Sequence, residues 1–261
     1  MMFDDDSIVL HSTPKFSIGT IRSRHPASES DVTLAQPNVY APNDLHTRGF
    51  AILKTNIPIP RALLLELDAA LANRKGVHVL FNNQAHDGAR NDRRRRQASL
   101  FPDVIDAPQA QRGFEDRRPE CVELQMRLNA LLREHAVLWG RCVSDIVVLE
   151  SRPGCKQQAL HTDFDPRGVA RLSREMIPLG AIFCLEDEGS RLIVQRLDDI
   201  HGNLEEVSVQ KGELLVFRGD LKHAGASYNE RNRRIHFYLD CEHHERPPNR
   251  TFISKDQGPV M

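Results

Sequence analysis

Hydrophobic and polar positions change their rhythm twice along this chain. Residues 1–43 mix Ser, Thr, Pro, Asp and His without a period, and read as a flexible N-terminal extension. The stretch Gly49–Lys54 (GFAILK) has the pattern of a strand, closed by Ile57-Pro58-Ile59-Pro60. Arg61–Asn73 (RALLLELDAALAN) then carries apolar residues at helical spacing, and VHVLF at 77–81 suits a short strand. The next stretch, NNQAHDGARNDRRRRQASLF, has no apolar period. It is expected to be a solvated loop bearing four successive arginines, Arg93 to Arg96, with an anionic partner or a localisation patch as alternatives. Arg117–Trp139 reads as a long amphipathic helix with Pro119 in its first turn. Val122, Leu124, Met126, Leu128, Leu131, Leu132 and Val137 form its apolar set, and Trp139 is expected in the core.

From Asp145 the period shortens. IVVLES, ALHTDF, LGAIFCLED, SRLIVQRL, EEVSVQ, ELLVFRG, KHAGASY and RRIHFYLD are β-rich runs punctuated by Gly, Pro, Asp and Asn. Eight such strands suit a double-sheet jelly roll, the barrel also used by cupins. The expected fold is therefore α+β and mainly β: a double-stranded β-helix core at 144–242, braced by helices and a strand in 44–143. Residues 44–242 form one domain in this reading, and 243–261 an exposed tail whose His243-His244-Glu245 could hold adventitious metal.

Composition adds limits. The chain has 261 residues, enough for one large domain, with 40% hydrophobic and 27% charged residues. A net charge of −1 gives no global pull toward nucleic acid or a membrane surface. Five dispersed cysteines without a CxxC pair suit a reduced intracellular chain. The N-terminus lacks a basic-then-apolar leader and no apolar run approaches the ~20 residues of a membrane helix, so a cytoplasmic or nuclear protein is expected.

Chemistry concentrates between Gly154 and Asp240. Residues two apart on a strand face the same way, so His161 and Asp163 can together present an imidazole and a carboxylate to a metal. His223, after the hydrophobic LLVF and a turn-like RGD, can add a second imidazole from a distant strand. Two histidines and one carboxylate on one side of an ion leave the other side open, as in non-haem iron(II) oxygenases. Arg233 and Arg234 follow about one strand later, where a guanidinium can grip a carboxylate bidentately. A single His-x-acid pattern is weak, since roughly one or two arise by composition in such a chain. The ordered set of His-x-Asp, distal His and Arg is what carries weight.

That ordered set resembles the iron(II)/2-oxoglutarate-dependent dioxygenase superfamily, over about residues 145–240. Gln158-x-x-His161-x-Asp163 is similar to its phytanoyl-CoA dioxygenase-like branch, and ESRPGCKQQALHTDF with HFYLD to its prolyl-hydroxylase-like members. Gly212-x-x-x-x-Phe217 leading into His223-x-Gly225 is similar to the distal-histidine strand of many such enzymes. The resemblance implies that His161, Asp163 and His223 hold Fe(II), that 2-oxoglutarate is the cosubstrate, and that 44–242 is a dioxygenase domain. It further implies hydroxylation of a substrate C–H with release of succinate and carbon dioxide. Arg234 is the preferred anchor for the cosubstrate over Arg233, because it would share a face with His236, Tyr238 and Asp240, a polar set suited to a cavity. Gln158 is a cosubstrate contact or ligand-orienting residue, or a plain surface glutamine; His236 and Tyr238 are candidate pocket residues. Asp165 reads as a turn residue before Pro166 or a substrate contact, and Ser227 as a hydroxyl contact. A cupin-type metalloprotein with other chemistry, or a non-catalytic binding protein using Arg93–Arg96, are the alternatives. The substrate itself, a small molecule or a protein side chain, is not selected by any motif.

Overall fold

The computed structural model describes residues 42–73, 77–81, 91–101, 118–135, 138, 140–241 and 251–253. Of the sequence-based expectations, the extension up to residue 41, Val137, Trp139 and His243-His244-Glu245 lie outside the described residues.

The eight expected strands all form. They are β4 (Arg141–Ser151), β5 (His161–Thr162), β6 (Leu179–Cys184), β7 (Ser190–Gln195), β8 (Leu204–Val209), β9 (Glu213–Arg218), β10 (Lys222–Gly225) and β11 (Asn232–Cys241). Four further strands, β1 (Phe50–Lys54), β2 (Val77–Phe81), β3 (Asn91–Ser99) and β12 (Phe252–Ile253), extend the two sheets they build. One sheet has the order β1-β9-β6-β11-β4-β3-β2 and the other β12-β5-β10-β7-β8, with every pairing antiparallel. This alternation of strands between two facing sheets is a double-stranded β-helix, so the expected fold stands.

Alternation along the strands makes two cores. Ile182, Leu215 and Phe217 of the first sheet meet Leu192, Val194 and Val207 of the second, which closes the barrel. The odd-numbered neighbours Ala181, Phe183, Ile235, Phe237 and Leu239 point the other way and are buried under helices. Those helices are α2 (Arg61–Ala72) and α3 (Pro119–Glu134), with the short α1 (Pro42–Thr47) against β1. Leu63, Leu67 and Leu71 of α2 and Leu124, Leu128 and Leu132 of α3 form the covering stripe. The first amides of α3 are satisfied by Glu66 of α2, which accepts from Glu120 N and Cys121 N at 3.2 and 3.0 Å.

Three expectations need correction. Arg93–Arg96 belong to strand β3, paired with β4 in the register Arg95↔Ser151 and Arg96↔Glu150, and not to a solvated loop. A run of like charges hides the period of two that an apolar pattern would have displayed. The α3 helix ends at Glu134, short of the expected 139, and its Met126 is 61% exposed while Cys121 takes a place on the buried face. Within the expected tail, Phe252 and Ile253 pair with Thr162 and His161.

Candidate metal centre

His223 and His161 stand directly opposite each other as the paired residues of β10 and β5. Their rings lie 4.4 Å apart between centroids. Asp163, one step past the end of β5, places Oδ1 3.8 Å from His161 Nε2 and 3.7 Å from His223 Nε2. One ligand atom from each of the three lies within 4.8 Å of the other two, and all three residues are buried.

The histidines are held for coordination. His161 Nδ1 contacts Ala159 O at 2.7 Å and His223 Nδ1 contacts Leu221 O at 3.0 Å. A carbonyl only accepts, so each Nδ1 carries the proton and each Nε2 turns its lone pair to the centre. Burial pushes the His161 pKa down to about 3, with the facing His223 imidazole adding to it, so this ring is neutral at ordinary pH. Burial alone would raise the Asp163 pKa; the facing imidazoles of His223, His236 and His161 outweigh it and hold the carboxyl well below its ordinary value. Asp163 Oδ2 is buried and meets His236 Nε2 at 3.5 Å, too long for a strong hydrogen bond. A buried carboxylate oxygen so weakly satisfied is costly, and an ion beside it would remove that cost. The donor set thus fits a divalent metal such as iron(II).

On the adjoining face of β11, His236 Nε2 lies 3.5 Å from Asp163 Oδ2. Its ring stacks on Phe217 and meets Tyr238 edge-on at 4.7 Å. Burial, then Asp163 and Asp240, push the Tyr238 phenol well above its ordinary pKa, so it remains protonated. Arg234 shares this inward face and is 2% exposed, whereas Arg233 faces the helices and pairs with Glu186 and Asp68 at 2.7 and 3.1 Å. The face expected for Arg234 is the one it occupies.

Arg234 Nη1 donates to Ser151 Oγ at 3.1 Å and to Asn232 Oδ1 at 3.4 Å. Tyr228 lies beneath it at 5.7 Å. The Ser151 hydroxyl also accepts from Arg95 Nη1 at 3.1 Å. Arg95 is fully buried and donates besides to the carbonyls of Lys156, Gly225 and Ala226. Burial, then the nearby Arg234 cation, push its pKa down to about 10, which still leaves it charged. Among the described residues neither guanidinium has a carboxylate partner.

Gln158 lines the same place, buried, with Oε1 accepting from Gly225 N at 3.2 Å. The surface reading of Gln158 is therefore set aside. Asp165 is exposed and caps the short helix α4 (Pro166–Val169) through Arg167 N, which is the turn role. Ser227 is exposed, and its backbone carbonyl accepts from Arg191. A surface cleft of about 240 Å³, bordered by Glu188, Arg191, Tyr228, Glu230 and Asn232, includes none of the three candidate ligands. Sequence reasoning missed Arg95, Ser151 and Asn232. The available signal was parity, since the register that faces Ser151 inward carries Arg95 with it.

No protein-family model matches the sequence, and no curated protein does. Solved structures are similar in fold. SnoK, a non-haem alpha ketoglutarate dependent carbocyclase from nogalamycin biosynthesis, superposes with a TM-score of 0.51 at 12% identity, covering 79% of this chain and 87% of that one. A Pseudomonas putida prolyl-4-hydroxylase gives 0.48 at 16% identity, covering 76% and 96%. HygX from Streptomyces hygroscopicus, solved with nickel and 2-oxoglutarate bound, gives 0.47 at 12% identity, covering 78% and 87%. At 12% identity the likeness to SnoK is one of fold, and it agrees with the jelly roll traced above.

Proposed function

We propose that the chain is a non-haem iron(II)- and 2-oxoglutarate-dependent dioxygenase that hydroxylates a C–H bond of a small molecule or a protein side chain. The observation that carries this reading is a buried His161–Asp163–His223 triad with an inward guanidinium, Arg234, further along the same barrel. SnoK, whose fold is similar, is described as alpha ketoglutarate dependent, which accords with the reading. When bound, iron(II) with 2-oxoglutarate supplies dioxygen activation, yielding succinate, carbon dioxide and an oxidised substrate.

The protein's own residues have separable tasks. His161 and His223 offer Nε2, and the carbonyls of Ala159 and Leu221 keep both rings in the tautomer that can do so. Asp163 supplies the anionic oxygen that offsets the metal's charge. Arg234 grips the distal carboxylate of the cosubstrate by charge-assisted hydrogen bonds. Tyr238 and His236 wall the space between, the phenol keeping its proton. Phe217, packed on His223 at 4.6 Å, excludes water behind that ligand.

Anaerobic titration of the iron-loaded protein with 2-oxoglutarate tests the proposal. Tight binding that requires iron is expected. Asp163→Ala weakens iron binding by more than about 100-fold, beyond the 10–100-fold that loss of a merely supporting group costs. Iron that binds without conferring 2-oxoglutarate binding would sink this reading and favour other metal chemistry in the barrel.

A further inference from the structure

Two guanidiniums, not one, converge at the deep end of the barrel. Arg95 comes from β3, outside the eight-stranded core, and Arg234 from β11; Ser151 Oγ of the intervening β4 bonds both. Beyond them stands Gly225, two residues after His223 on β10. A Cβ at Gly225 would lie 3.0 Å from Arg95 Nη1, 3.4 Å from Arg234 Nη2 and 2.5 Å from Gln158 Oε1. The glycine thus lets β10 run close against both cations and Gln158, where any side chain would collide. Buried charges are ordinarily paired, and here two like charges sit together with no carboxylate in contact among the described residues, buried Asp92 acting on Arg95 only through space. The nearby surface is not short of acids, since Arg96, Arg231 and Arg233 on the helix side of this sheet each have one. The missing counter-charge points to a ligand that brings it.

We propose that Arg95 is a second carboxylate-binding residue beside Arg234, and that the pair makes the pocket select a 2-oxo acid with an ionised distal carboxylate over its monocarboxylate counterpart. This rests on the cosubstrate reading above and adds a residue outside the His-x-Asp, His, Arg pattern. Arg95 is also a clamp, because its other donors tie down the carbonyls of Lys156, Gly225 and Ala226. Its charge therefore arrives on a rigid fork whose orientation is set before the ligand binds, which favours affinity.

The test compares 2-oxoglutarate with 2-oxopentanoate, which has the same chain with a methyl in place of the distal carboxylate. Both are titrated anaerobically into the iron(II)-loaded protein. In Arg95→Gln the preference for 2-oxoglutarate falls about tenfold, the scale of one charge-assisted hydrogen bond, while 2-oxopentanoate binds as in the wild type. A residue that only shapes the pocket would weaken both ligands alike, and that result overturns the proposal, as does an unchanged preference. Gly225→Ala keeps both charges but presses a methyl against Gln158 Oε1 and Arg95 Nη1, displacing the fork, and the preference collapses there too. If Arg95→Gln does not fold, Gly225→Ala decides alone. Wild-type protein that binds neither acid overturns the cosubstrate reading and this proposal together, whereas 2-oxoglutarate binding with a retained preference in both variants overturns only this one.

Discussion

Arg95 and Arg96, like Arg233 and Arg234, are chain neighbours that strand alternation sends to opposite sides of one sheet. On the helix side the arginines are neutralised. Glu150, with a side chain 2% exposed, takes Arg96 at 2.6 Å, Arg231 at 2.8 Å and Arg152 at 2.9 Å. Asp68 of α2 takes Arg231 at 2.5 Å and Arg233 at 3.1 Å, so the network fastens that helix to the sheet. On the barrel side Arg95 and Arg234 share the Ser151 hydroxyl, Arg95 adding backbone carbonyls and Arg234 the Asn232 amide oxygen, and neither contacts an acid. The difference separates charges paired with acids from charges that have none in contact. Strand parity, not sequence neighbourhood, assigns each arginine its role.

The largest expected effect comes from breaking the outer network. Glu150→Ala leaves three guanidiniums without their shared carboxylate, Arg96 the most buried of them at 20% side-chain exposure, and lowers stability by about 3 kcal/mol in urea unfolding. A loss below about 1 kcal/mol would show that Asp68 and solvent suffice for these arginines.

Acid sharpens the contrast next. The His161 pKa is about 3 in the folded protein against roughly 6.5 unfolded, so between these values only the unfolded chain takes up a proton. Stability of the metal-free protein therefore falls as pH drops, by on the order of 3 kcal/mol from pH 6.5 to 4. Glu150 and Asp68 have lowered pKa values, so their contribution is present above the unfolded carboxylate range and is lost only at still lower pH. Urea unfolding at the two pH values reads the effect, and adding metal opposes it. A flat profile over this window would contradict a neutral, desolvated His161.

The smallest effect is the most telling in sign. Arg234→Met removes one of two adjacent buried cations and strands no partner, because Ser151 keeps Arg95 and Asn232 Oδ1 keeps the Ser190 hydroxyl at 3.2 Å. Metal-free stability is expected to stay within about 1 kcal/mol of the wild type or to rise, while 2-oxoglutarate binding is lost. A large destabilisation would make Arg234 a structural residue like those on the helix side.

Several particulars are legible in the sequence alone. The strand runs from IVVLES to RRIHFYLD carried their own period, because each has one face in the barrel and one under helices or solvent. His161, Asp163 and His223 could be paired across 60 residues because few ligand types recur in that order, and the inward face of Arg234 followed from the polar character of His236, Tyr238 and Asp240. Arg93–Arg96 were misread because a strand whose inward residue is a charged clamp shows no hydrophobic alternation. Phe252–Ile253 escaped notice because two residues are too short for any period to declare itself.

What the sequence by itself determined is thus the jelly roll and the identity of the three candidate ligands, since periodicity and residue chemistry are local properties. Only the tertiary structure decided which groups surround them. The meeting of Arg95, Ser151, Gly225 and Arg234, from β3, β4, β10 and β11, depends on sheet register and on the facing of two sheets, quantities set by packing across long sequence separations.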